Sequence, residues 1–511
     1  QKNAVYNVYA GADIVTAYGT KVYSKGDLVK ENLTTGENGS VTLKNLHLGT
    51  YVVKETKAPD SFYNGSEEKS VTLTYAGQNK EVVFADVTFN NERQKADVSV
   101  VKQDKDTKKP LKGGIFALYA SDDIRNADGT VVVKKGTLIE KATTGADGTA
   151  KFTADLPIGY SYSVKEDQAP EGYVRNTEDV YTFKFSYTND KEATVSFAHT
   201  FSNDRVTAKI NLFKVDKETG KAVPQGDATL KGAVYGLYAR EDIVHPDGAT
   251  GVLYKQDSLI AQGVIGDDGT LEFSELYLGE MYLKEITPPE GYTLDTTRYE
   301  VSVTYEGQDV AEVTRDLTVK EQVKKQAFQL IKISEDGEQT ETDLVAGAGF
   351  QVYLISSLSQ VKNGKLKPAN GERYTASDFK NYDFSNEQVA VTYENGTAVP
   401  VPELITDTKG YAVSPELPYG SYVVVESTTP ENLKTIDPFV VNVENDSREP
   451  MQWRVFDDRP FEFLLKIVKK DAQTGNTVLK AGASYRALAF ANVPKDALTA
   501  TANSFELTSA Y

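Results

Sequence analysis

The stretch Tyr162-Ser163-Val164-Lys165-Glu166-Asp167-Gln168-Ala169-Pro170-Glu171-Gly172-Tyr173 reads as a short strand closed by a proline-bearing turn. Proline has no N–H to give a central ladder, and glycine supplies the bend. Side chains two apart along a strand share a face, so Glu166 lies beside Val164 and Tyr162, while Lys165 faces water. The pattern returns three times. It is Tyr51-Val52-Val53-Lys54-Glu55 with Pro59 behind it, Tyr282-Leu283-Lys284-Glu285 with Pro288 and Gly291, and, more loosely, Tyr422-Val423-Val424-Val425-Glu426 with Pro430. Each glutamate falls on the apolar face, where a lone carboxylate is costly.

Two other strands in each full copy carry inward polar groups. Opening strands Val98-Ser99-Val100-Val101-Lys102, Ile210-Asn211-Leu212-Phe213-Lys214 and Phe328-Gln329-Leu330-Ile331-Lys332 place Lys102, Lys214 and Lys332 on the apolar side. Lys469 follows Leu465 and Ile467 in the same way. Closing strands end Phe89-Asn90-Asn91, Phe201-Ser202-Asn203 and Val455-Phe456-Asp457, which predicts that Asn91, Asn203 and Asp457 face inward.

The four glutamates recur at intervals of 111, 119 and 141 residues, the mark of a repeated supersecondary unit. A second block repeats with them: Leu111-Lys112-Gly113-Gly114-Ile115-Phe116-Ala117-Leu118-Tyr119-Ala120 matches Leu230 to Ala239, and Gln1 to Ala10 matches it in part. The divisions expected are 1–93 (domain one, lacking its opening strand), 94–206 (domain two), 207–324 (domain three), 325–459 (domain four) and the start of a further copy at 460–511. Domain four has an insertion around 356–402, in which Thr375 to Lys380 predicts one helical turn. Asp147-Gly148 and Asp268-Gly269 predict turns between strands.

Composition sets the limits. Thirty Tyr and 38 Gly in a chain of 511 residues, with short alternating runs, favour an all-β protein. A net charge of −18 opposes nucleic acid as a partner, since phosphate binding needs basic surface. No apolar run is long enough to span a bilayer, so no membrane insertion is expected in this segment. Cysteine is absent, which excludes disulfides and thiol chemistry. His47, His199 and His245 show no metal-ligand spacing, and no metal or cofactor is expected. The pattern opens and closes in mid-copy without a leader or anchor, so a piece of a longer protein is expected.

Burial drives a lysine toward its neutral amine and a carboxyl toward its acid. A neutral amine is a nucleophile, and a protonated glutamate beside an amide or carboxyl polarises the carbonyl and shuttles protons. The product is a Lys–Asn or Lys–Asp isopeptide bond, with ammonia or water released. Once the bond forms, the buried charges are gone.

The Lys-x-Asp opening strand, the Leu-x-Gly block and the Tyr-x-x-x-Glu-x-x-x-Pro-x-Gly-Tyr box, occurring in that order, resemble the B-type repeats of Gram-positive collagen adhesins and the domains of SpaA-type pilins. The resemblance covers essentially the whole chain. It implies tandem prealbumin-like (reverse immunoglobulin) β-sandwiches arranged as an elongated rod, self-made isopeptide bonds and display on a Gram-positive cell wall. Carried over, it assigns Lys102, Glu166 and Asn203 to domain two, and Lys332, Glu426 and Asp457 to domain four. Domain three departs from it: Lys214 and Glu285 are in place, but Glu321 stands where Asn or Asp belongs. Domain one offers Glu55 and Asn91 without a lysine, and the last copy offers only Lys469.

Each centre has a plainer reading. Lys102 with Glu166 would be an ordinary buried ion pair with Asn203 a hydrogen-bonding bystander, although such pairs rarely repay their desolvation. The same holds for domain four, and for domain three a non-covalent Lys214–Glu285–Glu321 cluster is the expectation. The functional expectation is a stalk or shaft of a wall-anchored surface protein or pilus, held to the cell wall by an anchor outside this segment. It would be no enzyme beyond its single-turnover self-reaction. The alternatives are an adhesin contacting a host protein or glycan, chiefly through the domain-four insertion, and a spacer for a distant enzyme.

Overall fold

A computed structural model describes residues 1–334, 344–431, 433–458, 470, 472–475, 477, 484–488 and 504–508. Domains two, three and four share one plan of two facing sheets. In domain two the four-stranded sheet runs Leu138–Thr143, Ile115–Ala120, Ser161–Gln168, Val180–Lys184, and the three-stranded sheet runs Thr149–Phe152, Lys95–Asp104, Thr194–Asn203. Domain three repeats both orders, with Thr207–Asp216 as its opening strand, Gly279–Thr287 as its glutamate strand and Glu312–Glu321 as its closing strand. Domain four does so with Phe328–Ser334, Gly420–Thr428 and Met451–Asp458.

Alternation makes these sheets one-sided. Along Ser161–Gln168, Tyr162, Val164 and Glu166 are buried while Lys165 is exposed. Facing side chains fill the space between sheets: Val98, Val100, Phe116, Leu118, Tyr162, Val164 and Phe201 in domain two. Every ladder in these sheets is antiparallel except one. The opening strand lies parallel to the closing strand, Lys95 opposite Thr194 and Asp104 opposite Asn203. Domains three and four repeat that parallel pair. A domain's two ends therefore lie at opposite ends of one strand pair.

Of the two facing sheets, domain one forms the four-stranded one alone, with Val5–Ala10 between Leu28–Thr34 and Gly49–Lys57, and a short hairpin pairs Ile14–Val15 with Lys21–Tyr23. The closing strand expected at 87–91 is not formed. Among the described residues no opening strand stands beside it, and a strand without a ladder partner leaves its backbone groups to water. The domain-four insertion folds back on its own domain. It contains the expected helical turn (Ala376–Phe379, with Asp378 accepting from the Thr375 N–H at 2.7 Å) and a hairpin of Val391–Glu394 with Thr397–Pro400. Phe379 and Leu358 pack against Tyr353 and Val423 on the outer face of the sheet. That explains the loose fourth copy of the box: its outer face carries Val423 and Val425, where Ser163 and Lys165 stand in domain two.

The turns that follow the glutamate strands also meet the next domain. The Ala58 N–H donates to the Asp190 carboxylate at 3.0 Å, and the Ala169 N–H donates to Gln308 Oε1 at 2.7 Å.

Candidate crosslinking centres

The parallel pair decides what the inward groups of domain two meet. Lys102 lies opposite Phe201 in the ladder, and Asn203 follows two residues later on the same face. Glu166 comes from the facing sheet. All three are sealed from water, at 0%, 1% and 4% exposure for Lys102, Asn203 and Glu166. Lys102 Nζ contacts Asn203 Oδ1 and stands 2.8 Å from Glu166 Oε1. Asn203 Nδ2 donates to both Glu166 oxygens, at 3.0 and 2.9 Å. The glutamate thus bridges amine and amide, and the amine lies against the amide it would attack. Burial pushes the Lys102 ammonium down toward its neutral form, against the pull of Glu166.

Three supports escaped the sequence reading. In domains two, three and four the glutamate takes a backbone N–H from ten residues downstream: Asn176 to Glu166, Asp295 to Glu285 and Ile436 to Glu426, all at 2.8 Å. These hold one carboxylate oxygen and leave the other for the lysine. A glycine turn also clasps each lysine's backbone, with Gly148, Gly269 and Gly410 accepting from the N–H of Lys102, Lys214 and Lys332 at 2.7 to 2.8 Å. Gly148 has φ +73°, and a Cβ there would collide with the Lys102 carbonyl oxygen. Finally, the tyrosine ending the box reaches the aspartate of Lys-x-Asp. Tyr173 Oη donates to Asp104 at 2.8 Å, and Tyr292 Oη donates to Asp216 at 2.9 Å. Fixed spacing in the sequence was the available signal for all three.

Domain three brings Lys214, Glu285 and Glu321 together, equally sealed at 0%, 2% and 1% exposure. Lys214 Nζ stands 2.8 Å from Glu285 Oε1, contacts Glu321 Oε2 and donates to Tyr235 Oη at 3.0 Å. In domain four, Lys332 Nζ lies 2.5 Å from Glu426 Oε1, both side chains fully buried. Its closing strand is offset by one residue from the register of domains two and three. Lys332 pairs with Phe456 and Ser334 with Asp458, whereas Asp457 lies opposite Ile333. Asp458 therefore holds the ladder position that Asn203 holds opposite Asp104. A register irregularity between Phe328 and Leu330 produces the shift, and counting from the aromatic residue could not reveal it.

Domain one joins two of the three groups. Asn91 Nδ2 donates to Glu55 Oε2 at 2.7 Å, and Tyr6 Oη donates to Glu55 Oε1 at 3.3 Å. Burial raises the Glu55 carboxyl above the usual carboxylate range, opposed by these two hydrogen bonds. Lys469 lies outside the described residues.

A family model described as the SpaA prealbumin-like fold domain matches residues 2–88, 96–199, 208–317 and 326–454. A collagen adhesin of Staphylococcus aureus is 31% identical over 169 residues, which are 29% of this chain and 14% of that protein. The chain therefore matches only a small part of that relative's length. Among solved structures, the Bacillus anthracis TIE protein gives a TM-score of 0.44 at 18% identity, covering 89% of this chain and 68% of that one. BcpA, the major pilin subunit of Bacillus cereus, gives 0.24 at 15% identity, covering 63% of this chain and 95% of that one.

Proposed function

This chain belongs to the SpaA prealbumin-like fold family, and on that premise we propose that it is a shaft segment of a Gram-positive surface protein or pilus, stiffened by isopeptide bonds between Lys102 and Asn203 and between Lys332 and Asp458. The observation that carries this reading is the sealed Lys102–Glu166–Asn203 centre, with its amine lying against the amide carbonyl. The Lys102 ammonium passes a proton to Glu166 and attacks Asn203 Cγ. A C–N bond forms, the old C–N bond breaks, and the Asn203 nitrogen leaves as ammonia. Glu166 supplies a proton to the leaving group and recovers one from the new amide nitrogen, ending as the neutral acid. No charge remains buried. In domain four the same steps on Asp458 release water.

The mechanical consequence follows from the parallel pair. Tension entering at Lys95 runs up the opening strand to Lys102, crosses the bond and leaves at Asn203. The 101 positions that separate the two residues carry none of it. If the loop-entropy relation for disulfides transfers, closing a ~100-residue loop adds about 4.7 kcal/mol. An extracellular position on the cell wall suits a chain without cysteine that gains its covalent staple by this route. Proteolysis of the folded chain followed by mass spectrometry tests the reading. Lys102 and Asn203 are expected in one branched peptide lighter by one ammonia, and Lys332 and Asp458 in one lighter by one water. Separate peptides at full mass from domain two would remove the basis for the proposal.

A further inference from the structure

Resting on that crosslinking chemistry, we infer that domain three carries a third bond of a different kind, a Lys214–Glu321 isopeptide, with Tyr235 as a positioning residue.

Glu321 occupies the station of Asn203. Lys214 pairs with Val319 and Asp216 with Glu321, just as Lys102 pairs with Phe201 and Asp104 with Asn203. The Lys217 N–H closes the pair on the Glu321 carbonyl at 2.8 Å, as the Lys105 N–H does on Asn203 at 3.0 Å. The extra methylene thus begins from an unchanged backbone, and the four-carbon lysine stem takes up the added length.

The surroundings of Nζ set the direction of attack. Nζ donates to Tyr235 Oη at 3.0 Å and to Glu285 Oε1 at 2.8 Å and contacts the Glu321 carboxyl, so two partners on other strands hold it against the group it would attack. Phe116 and Phe350 stand at the Tyr235 position in domains two and four, and Tyr6 holds it in domain one, so among the three copies with a lysine in place only domain three sets a hydroxyl beside the amine. Left unreacted, the centre seals an ammonium and two carboxyls from water, and Glu321 Oε1 has no hydrogen-bond partner. Such an arrangement is expensive. Burial pushes the Glu321 carboxyl above its usual range, against the Lys214 charge, with Glu285 adding to the rise, which favours the acid form that an acyl transfer needs.

The step balances without a co-reactant. Lys214 passes one proton to Glu285, the free amine attacks Glu321 Cδ, and the C–N bond forms as the C–OH bond breaks. Glu285 protonates the departing hydroxyl to water and takes back a proton from nitrogen. Ammonium, carboxylate and carboxylic acid become amide, water and a neutral Glu285.

Tryptic digestion of the whole folded chain with mass spectrometry tests this. The expected result is no cleavage after Lys214 and a branched peptide joining Lys214 to Glu321, lighter by one water. Glu321→Gln should give the identical branched product with ammonia released instead. Glu285→Ala should leave both peptides separate; should that variant fail to fold, Glu285→Gln serves the same purpose. Free Lys214 beside a joined Lys102–Asn203 pair overturns this inference and leaves the proposed function intact. Free lysines in both domains overturn both. Tyr235→Phe should slow formation of this bond in freshly refolded chain while Lys102–Asn203 closes at its usual rate. Equal rates in wild type and variant would remove Tyr235 from the account.

Discussion

Domains two and three pair their opening and closing strands in the same register, yet they end the closing strand on different groups. Asn203 gives domain two an amide that donates to both oxygens of Glu166. Glu321 gives domain three a second carboxyl, and Tyr235 replaces Phe116 above it. The backbone scaffold is indifferent to the change, because the ladder, the glycine clasp and the N–H to the glutamate are all main-chain features. What differs is where the protons sit. One centre offers its lysine an amide, the other a second carboxyl whose acid form burial favours.

The largest effect expected from breaking this comparison is Asn203→Ala. It removes the electrophile of domain two alone, so that no bond forms and no ammonia is released there, and costs about 4.7 kcal/mol for a ~100-residue loop. Calorimetry should show one domain transition falling while the others hold. Tyr173→Phe and Tyr292→Phe come next. Each removes a buried hydrogen bond to an aspartate, worth about 1.5–3 kcal/mol for a charged partner. Denaturation monitored by hydrogen exchange should give equal losses in the two domains, because this tie is independent of the closing residue.

The smallest effect sharpens the contrast with domain one, where glutamate and asparagine meet without a lysine. Burial holds the Glu55 acid form above its ordinary range, so the folded state binds that proton more tightly than the unfolded chain. Its contribution is complete below the normal glutamate pKa and is lost as pH rises through the raised value. Exchange protection along Gly49–Lys57, corrected for intrinsic rate, should fall across that window, and Glu55→Gln should flatten the dependence.

Much of this was legible early because it is local. Glu166 among Tyr162 and Val164, and Lys102 among Val98 and Val100, announce a polar group on an apolar face within five residues of sequence. The looser fourth box was visible too, but that its Val423 and Val425 lie under the insertion came from the packing. Asp457 illustrates the opposite case. Its neighbours gave no way to choose it or Asp458, because the choice depends on an irregular ladder with a strand more than a hundred residues earlier.

The sequence by itself determined the repeats, the strands and the inward residue types, since side-chain alternation and turn chemistry act over a few positions. Only the tertiary structure decided which of those groups touch: the parallel pairing of first and last strands, the N–H ten residues beyond the glutamate in domains two, three and four, and the tyrosine over Lys214. Contacts between sheets depend on register and on the facing layer. No short window of residues records either one.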